Sequence, residues 1–123
     1  MIKVLKTLNS EMKTLNINYC YDDWNKEVQL PYYVGELSEI PTFNEDGKSE
    51  YTFKLTGFDA KSYLNLFKTS DDIRDYYKYG KKIILEDNSA IVIAYENTLP
   101  VDTEVEDLKR IEINLNVKLW EKW

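Results

Sequence analysis

The last sixteen residues, LKRIEINLNVKLWEKW, restrict the fold more than any other stretch. Ile111, Ile113, Leu115, Val117 and Leu119 fall on every second position, with Glu112, Asn114, Asn116 and Lys118 between them and Trp120 after. That alternation predicts a strand with one apolar and one polar face. At about 3.3 Å per residue, Lys109 to Leu119 would run roughly 36 Å, well beyond the usual strand.

Upstream, Ile2, Leu5, Leu8, Met12 and Leu15 recur at intervals of three or four. This predicts an amphipathic helix from about Ile2 to Leu15, with Lys3, Lys6 and Lys13 toward water. The next stretch, NINYCYDDWNKEVQ, loses the period and reads as a loop or turn. LPYYVGEL then reads as a strand that starts at Pro31 or lies at an edge, because proline cannot donate a ladder hydrogen bond. Asp46-Gly47, inside the polar SEIPTFNEDGKSE, is a turn signal. A second strand, SEYTFKLTGF, puts Tyr51, Phe53 and Leu55 on one face and Thr52, Lys54 and Thr56 on the other. Together they predict a hairpin with a projecting tip.

DAKSYLNLFKTSDDIRDYYKYG is helical in composition. Ala60, Tyr63, Leu64 and Phe67 suit a helix, and Gly80 is a natural stop. Ser70-Asp71-Asp72 also has the form of a fresh helix start, with acids at the positive end of the dipole. The helix therefore begins near Asp59 or near Ser70, and covers Asp71 to Tyr79 either way. KKIILED and AIVIAYEN predict a hairpin bent at Asp87-Asn88-Ser89; Leu99-Pro100 interrupts, an acidic loop follows, and the long strand ends the chain. The predicted order is helix, two strands, helix, three strands. This is a single α+β domain over residues 1–123: a mostly antiparallel sheet, an N-terminal and a central helix packed on one side, and a long C-terminal strand.

Hydrophobic residues make up 43% and charged residues 31%, an ordinary globular balance. The lone Cys20 cannot form an internal disulfide and suits a partly buried thiol in a reducing compartment. Lysines break up the apolar positions of the N-terminus, and no apolar run reaches the length of a membrane span. The chain is thus expected to be cytoplasmic where it is made, with no membrane partner. A net charge of −6, from 22 acidic and 16 basic residues, repels phosphate backbones, so direct nucleic-acid binding is not expected. The acidity serves solubility. A DNA-imitating carboxylate stripe would need unbroken acids, whereas the clusters are short: Asp71, Asp72 and Asp75, then Glu104, Glu106 and Asp107.

The sequence contains no histidine, the usual general base near neutral pH and the commonest metal ligand. Zinc sites and Ser-His or Cys-His nucleophilic systems are thereby excluded. The four glycines stand apart and form no phosphate loop. Paired carboxylates are the one remaining catalytic route: Asp22-Asp23, Asp71-Asp72 and Glu86-Asp87. Each has a simpler place, in a loop, at a helix start and before a hairpin turn. The chain is therefore expected to be a non-enzyme without cofactor or metal. Ten tyrosines and three tryptophans supply packing; several at once on the surface would instead point to a protein interface.

Taken in order, LPYYVGEL after an N-terminal helix, EYTFKLTGF before a helical segment, and the terminal LKRIEINLNVKLWEK give a resemblance. The chain resembles the tail-terminator or tail-completion proteins of long-tailed bacteriophages, over roughly Ile2 to Trp120. The resemblance implies an α+β subunit of a ring, commonly of six copies, at the head-proximal end of the tail tube. Such a ring stops tube growth and offers a surface to the head connector. The implied partners are copies of the chain itself, the tail tube protein and a head-completion or connector protein, and the implied location is the virion tail. The loop from Thr42 to Ser49 is where a neighbour would be reached. Candidate contacts are Asp71, Asp72, Arg74 and Tyr77 on the helix, with Trp120 and Trp123 at the tail end. Helix capping by the aspartates, core packing by Tyr77 and a frayed end at Trp123 are the simpler roles. Competing readings are another head–tail connector or closure protein, and a small acidic inhibitor of a host nucleic-acid-binding protein.

Overall fold

The computed structural model describes residues 1–21, 30–41, 47–60, 62–105 and 107–121. Two helices, α1 (Ile2–Thr14) and α2 (Leu64–Tyr76), accompany six strands. The strands are β1 (Tyr19–Tyr21), β2 (Tyr32–Ile40), β3 (Lys48–Ala60), β4 (Lys81–Ile84), β5 (Ala90–Val101) and β6 (Leu108–Trp120). They form one sheet in the order β1-β2-β3-β6-β5-β4. Every pairing is antiparallel except β1 with β2.

The predicted C-terminal strand is present, and it lies at the centre. All thirteen residues of β6 pair with all thirteen of β3, from Lys48 opposite Trp120 to Ala60 opposite Leu108. Its alternation translates directly into burial: Ile111, Ile113, Leu115, Val117 and Leu119 are at most 1% exposed. Register puts Tyr51, Phe53 and Leu55 of β3 and Ile91 and Ile93 of β5 on the same face. Both helices bury their apolar stripes there, α1 through Val4, Leu8 and Met12, α2 through Leu66, Ile73 and Tyr77. The result is an α+β domain with both helices on one side of the sheet.

Two glycines let aromatic rings lie flat against this face. A methyl group at Gly35 would come within 2.6 Å of the Phe53 ring and 2.5 Å of Tyr19, and one at Gly57 would strike the Tyr33 ring. Tyr19 belongs to β1, which corrects the expected loop over NINYCYDDWNKEVQ in its first half. Three residues are too few to show a period. β1 is held instead by its parallel register with Tyr33–Gly35, by Tyr33 N–H on Asn18 O at 2.9 Å and by Leu37 N–H on the Tyr21 hydroxyl at 3.2 Å.

The central helix begins at Leu64, at neither expected start. Asp59 remains in β3, and Ser62 Oγ accepts the Leu64 N–H at 3.1 Å where the helix opens. Ser70, Asp71 and Asp72 sit in mid-helix, so the aspartates are not caps. The helix ends at Tyr76, short of Tyr79, and Gly80 takes a φ of +78° four residues later. Its inward face is carried by Leu66, Ser70 and Ile73, which are buried, while Leu64 and Phe67 are exposed.

β5 corrects another expectation, since it runs through Leu99-Pro100 to Val101. β4 pairs only with Ala90 to Ile93, so this half of β5 is a sheet edge, where a missing N–H is tolerated. A bulge between Tyr95 and Asn97 changes the register. It leaves both Tyr95 and Thr98 on the helix side, where the Thr98 hydroxyl lies 2.7 Å from the Tyr95 hydroxyl and 2.6 Å from Ser70 Oγ. The predicted hairpin at Asp87-Asn88-Ser89 is present, with Asn88 at φ +67° and Asp87 Oδ1 accepting the Ser89 N–H at 2.9 Å.

One buried polar cluster ties α1, α2 and β4 together. Glu11 is 7% exposed and accepts hydrogen bonds from the Tyr77 hydroxyl at 3.1 Å and from Lys81 Nζ. Lys81 also donates to the Tyr76 hydroxyl and lies 4.3 Å from that ring's centre. Burial, followed by the neighbouring Glu11 carboxylate, pushes the Tyr77 phenol well above its ordinary value. The Tyr76 hydroxyl first, and then Glu11, hold the Lys81 ammonium up against the opposing effect of its own burial.

Candidate interaction surface

No described helix covers the second face of the sheet, which carries the even-numbered residues of β3 and β6. Their register builds transverse rows. One row reads Glu36, Lys54, Asn114, Asn97; the next reads Ser38, Thr52, Asn116, Ala94. Lys54 lies 3.8 Å from Glu36, and Asn114 donates to Asn97 Oδ1 at 2.8 Å. Asn116 donates to Glu50 Oε1 at 2.8 Å. These contacts hold the polar groups in place on half-buried positions, whereas the next row of the same face, Val34 with Thr56, and Tyr32 beyond it are buried.

The two ends of that face differ. At one end Trp120 lies in a row with Lys48, Ala90 and Ile84, the last of these 57% exposed. The adjoining row brings Lys118, Val92 and Lys82 beside them. At the other end Leu99 is 49% exposed, and the connection from Val101 to Leu108 carries exposed Asp102, Glu104 and Asp107 with Val105 at 59%. Arg110 at this end is committed to Glu112, 3.0 Å away. The strand between the ends spans about 33 Å from Arg110 to Trp120. One end of the face thus gathers Trp120, Ile84 and the lysines around Glu50, and the other gathers Leu99 and Phe58 with exposed carboxylates on the adjoining connection.

The six residues singled out from sequence do not form one site. Trp120 is half-buried on the open face. Asp71 and Arg74 are exposed on α2 and lie 3.6 Å apart, and Asp75 lies 3.7 Å from the same guanidinium. Asp72 is exposed and lines a cleft beside α1. Tyr77 is 1% exposed and bonded to Glu11, so its ring packs in the core and offers nothing to a partner. Trp123 lies outside the described residues, as do Asp22, Asp23 and residues 42–46 of the expected projecting loop. Ile84, Leu99 and Lys82 were missed. Their signal was present: each follows from carrying the period of two outward from β6 into β5 and then into β4.

Among the described residues, no group of three His, Cys, Asp or Glu side chains is arranged to hold a metal ion. Of the remaining carboxylate pairs, Glu86-Asp87 is the hairpin bend, with Asp87 on Lys3 at 2.6 Å. No helix among the described residues is long and apolar enough to cross a membrane. No protein-family model matches the chain, and no curated relative matches its sequence.

Proposed function

We propose that this chain is a structural subunit of bacteriophage tail assembly, a tail terminator. In this reading copies close as a ring on the head-proximal end of the tail tube, stop its growth and join it to the head connector. The open sheet face carries the proposal. A ring needs heterologous contacts, in which one patch meets a different patch on the next copy. A face with unlike ends, one richer in lysines around Trp120 and Ile84, the other richer in carboxylates around Leu99, supplies two such patches on one support. Enrichment of Trp and exposed aliphatic groups within a polar surround is the composition of an interface. Because β6 lies mid-sheet, it offers its face and not an edge.

The acidic-inhibitor reading calls for a contiguous negative surface. Several of the described carboxylates are instead paired with cations: Glu36 with Lys54, Asp71 and Asp75 with Arg74, Asp87 and Glu121 with Lys3, Glu112 with Arg110. The assembly reading fits that mixture better.

The test is to incubate purified chain with isolated tail tubes and image them by negative stain, alongside light scattering of the chain alone. A ring at one tube end, and tubes of defined length when the chain is present during growth, are expected. Strict monomers with no affinity for tubes would overturn the proposal.

A further inference from the structure

A cleft of about 470 Å3 opens on the helix side of the molecule, between the end of α1, the Leu30–Pro31 turn and α2. Leu15, Ile17 and Pro31 give it apolar walls, and Asn16 and Asp72 stand among them. Two observations mark it as a binding site. The first concerns charge. Of the three aspartates on α2, Asp71 and Asp75 both lie on Arg74, whereas Asp72 has no ion pair among the described residues. The second is in the floor. Tyr33 is 2% exposed, and its hydroxyl is closed to water with no hydrogen-bond partner. The neighbouring Thr69 hydroxyl acts on this phenol in the sense opposite to burial. Burial raises the phenol above its ordinary value, so the oxygen stays protonated and still has free acceptor capacity. Buried polar groups are normally satisfied, and an orphan at the bottom of an open cleft calls for a group from outside.

The two acceptors select their ligand. A carboxylate at the wall and an unsatisfied phenol beneath it both take N–H donors, while the walls take methylene groups. We infer that the cleft is a socket for an arginine side chain of a partner protein. The stem packs against Leu15, Ile17 and Pro31, and the guanidinium meets Asp72 and the side-chain carbonyl of Asn16. Contact with the Tyr33 hydroxyl would require a side chain above it to move, since that oxygen is sealed from solvent. The planar fork of five donors serves three acceptors at once, which a lysine ammonium does less well. This surface lies on the opposite side of the sheet from the open face, and the inference stands independently of the tail-assembly reading.

The probe is N-acetyl-arginine amide, titrated into the full isotope-labelled chain and followed by amide shifts. Saturable shifts confined to residues 15–18 and 69–73 are expected, with dissociation at ~10 mM or tighter. Asp72→Asn should weaken binding about tenfold, and Tyr33→Phe, which keeps the ring, about threefold. Asp71→Asn, already engaged by Arg74, should leave it unchanged. N-acetyl-citrulline amide, of the same shape without charge, should not bind. The spectrum of each variant reports its folding in the same experiment. Absence of shifts in this segment, equal binding by citrulline, or full affinity in Asp72→Asn would overturn the inference.

Discussion

Consider the two faces of β6 together. Toward the helices it presents Ile111, Ile113, Leu115, Val117 and Leu119, none more than 1% exposed. Toward the other side the same strand presents Glu112, Asn114, Asn116, Lys118 and Trp120, all half-exposed. Residues one position apart therefore answer to different constraints. On the first face a side chain is fixed by volume, since interiors are close-packed and a missing methylene is felt. On the second it is fixed only by single polar contacts with the neighbouring strand, and is free to suit whatever docks there. The fold is stored in one face of a strand, and the other face is available for binding.

The largest expected effect breaks this comparison directly. Leu115→Ala should cost about 3 kcal/mol of stability by lost transfer energy and a residual cavity. Asn116→Ala, the next residue, should cost less than about 1 kcal/mol, because only its bond to Glu50 is lost and water replaces it. Urea unfolding of the two variants decides the matter. Equal losses would mean that the open face is as much a core as the covered one.

The covered face also has a polar exception, and it gives the second test. Lys81→Ala leaves the Glu11 carboxylate, 7% exposed, without its cation. Breaking a buried pair from one side is expected to cost about 3 kcal/mol, here toward the lower end since Lys81 is partly exposed. Replacing the whole group, Glu11→Leu and Lys81→Met together with Tyr77→Phe so that no buried hydroxyl loses its acceptor, should recover most of that loss. Alkaline titration bears on the same cluster. Tyr77 and Lys81 both have folded pKa values raised above their unfolded ones, so their contribution is full below pH ~10 and fades as pH rises through the folded values. Wild type should therefore lose its advantage over Lys81→Ala as pH rises above ~10, as read from melting temperatures.

Glycine packing gives a smaller effect on the same face. At Gly57 an added methyl meets the Tyr33 ring and also comes within 3.2 Å of Leu66. Gly57→Ala should cost about 1–3 kcal/mol through overpacking, measured by urea unfolding. A neutral outcome would show that the ring can move.

These contrasts also explain what was legible in the sequence. The period of two in LKRIEINLNVKLW and the period near 3.6 in α1 are set by burial, and burial on one face leaves a readable trace. The hairpin at Asp87-Asn88-Ser89 was legible because a left-handed Asn and an aspartate bonded two residues on are local chemistry. β1 was not legible, since what makes it a strand is its parallel neighbour and the slot over Gly35, neither of which is near it in sequence. The start of α2 was misread because Ser70-Asp71-Asp72 has cap chemistry, yet Ser70 is drawn inward to Thr98 across the sheet. The break expected at Leu99-Pro100 failed for a topological reason, the shortness of β4. Surface residues were the least legible. Asp72 differs from Asp71 only in which side of α2 it occupies, and that depends on a helix start the sequence left open.

The smallest expected effect concerns the rim where the two faces meet. α1 begins with no acidic residue in its first turn, and Lys3 lies near its positive end. Its compensation comes from elsewhere: Asp87 on the hairpin, 2.6 Å from Lys3 Nζ, and Glu121 just past β6, at 3.5 Å. The Lys3 ammonium, helped by the Ser89 N–H, holds the Asp87 carboxyl down at about 2. A folded value below the unfolded one means that the contribution is complete above the ordinary carboxylate value and is lost as pH falls toward about 2. Asp87→Asn should thus lower the melting temperature slightly at pH ~6, and the difference from wild type should vanish by pH ~2. The pair is exposed, so added salt should shrink the difference as well. A gap that persists at low pH would mean that Asp87 acts through the geometry of the bend, its bond to the Ser89 N–H surviving as a neutral one, and that its charge contributes nothing to anchoring α1.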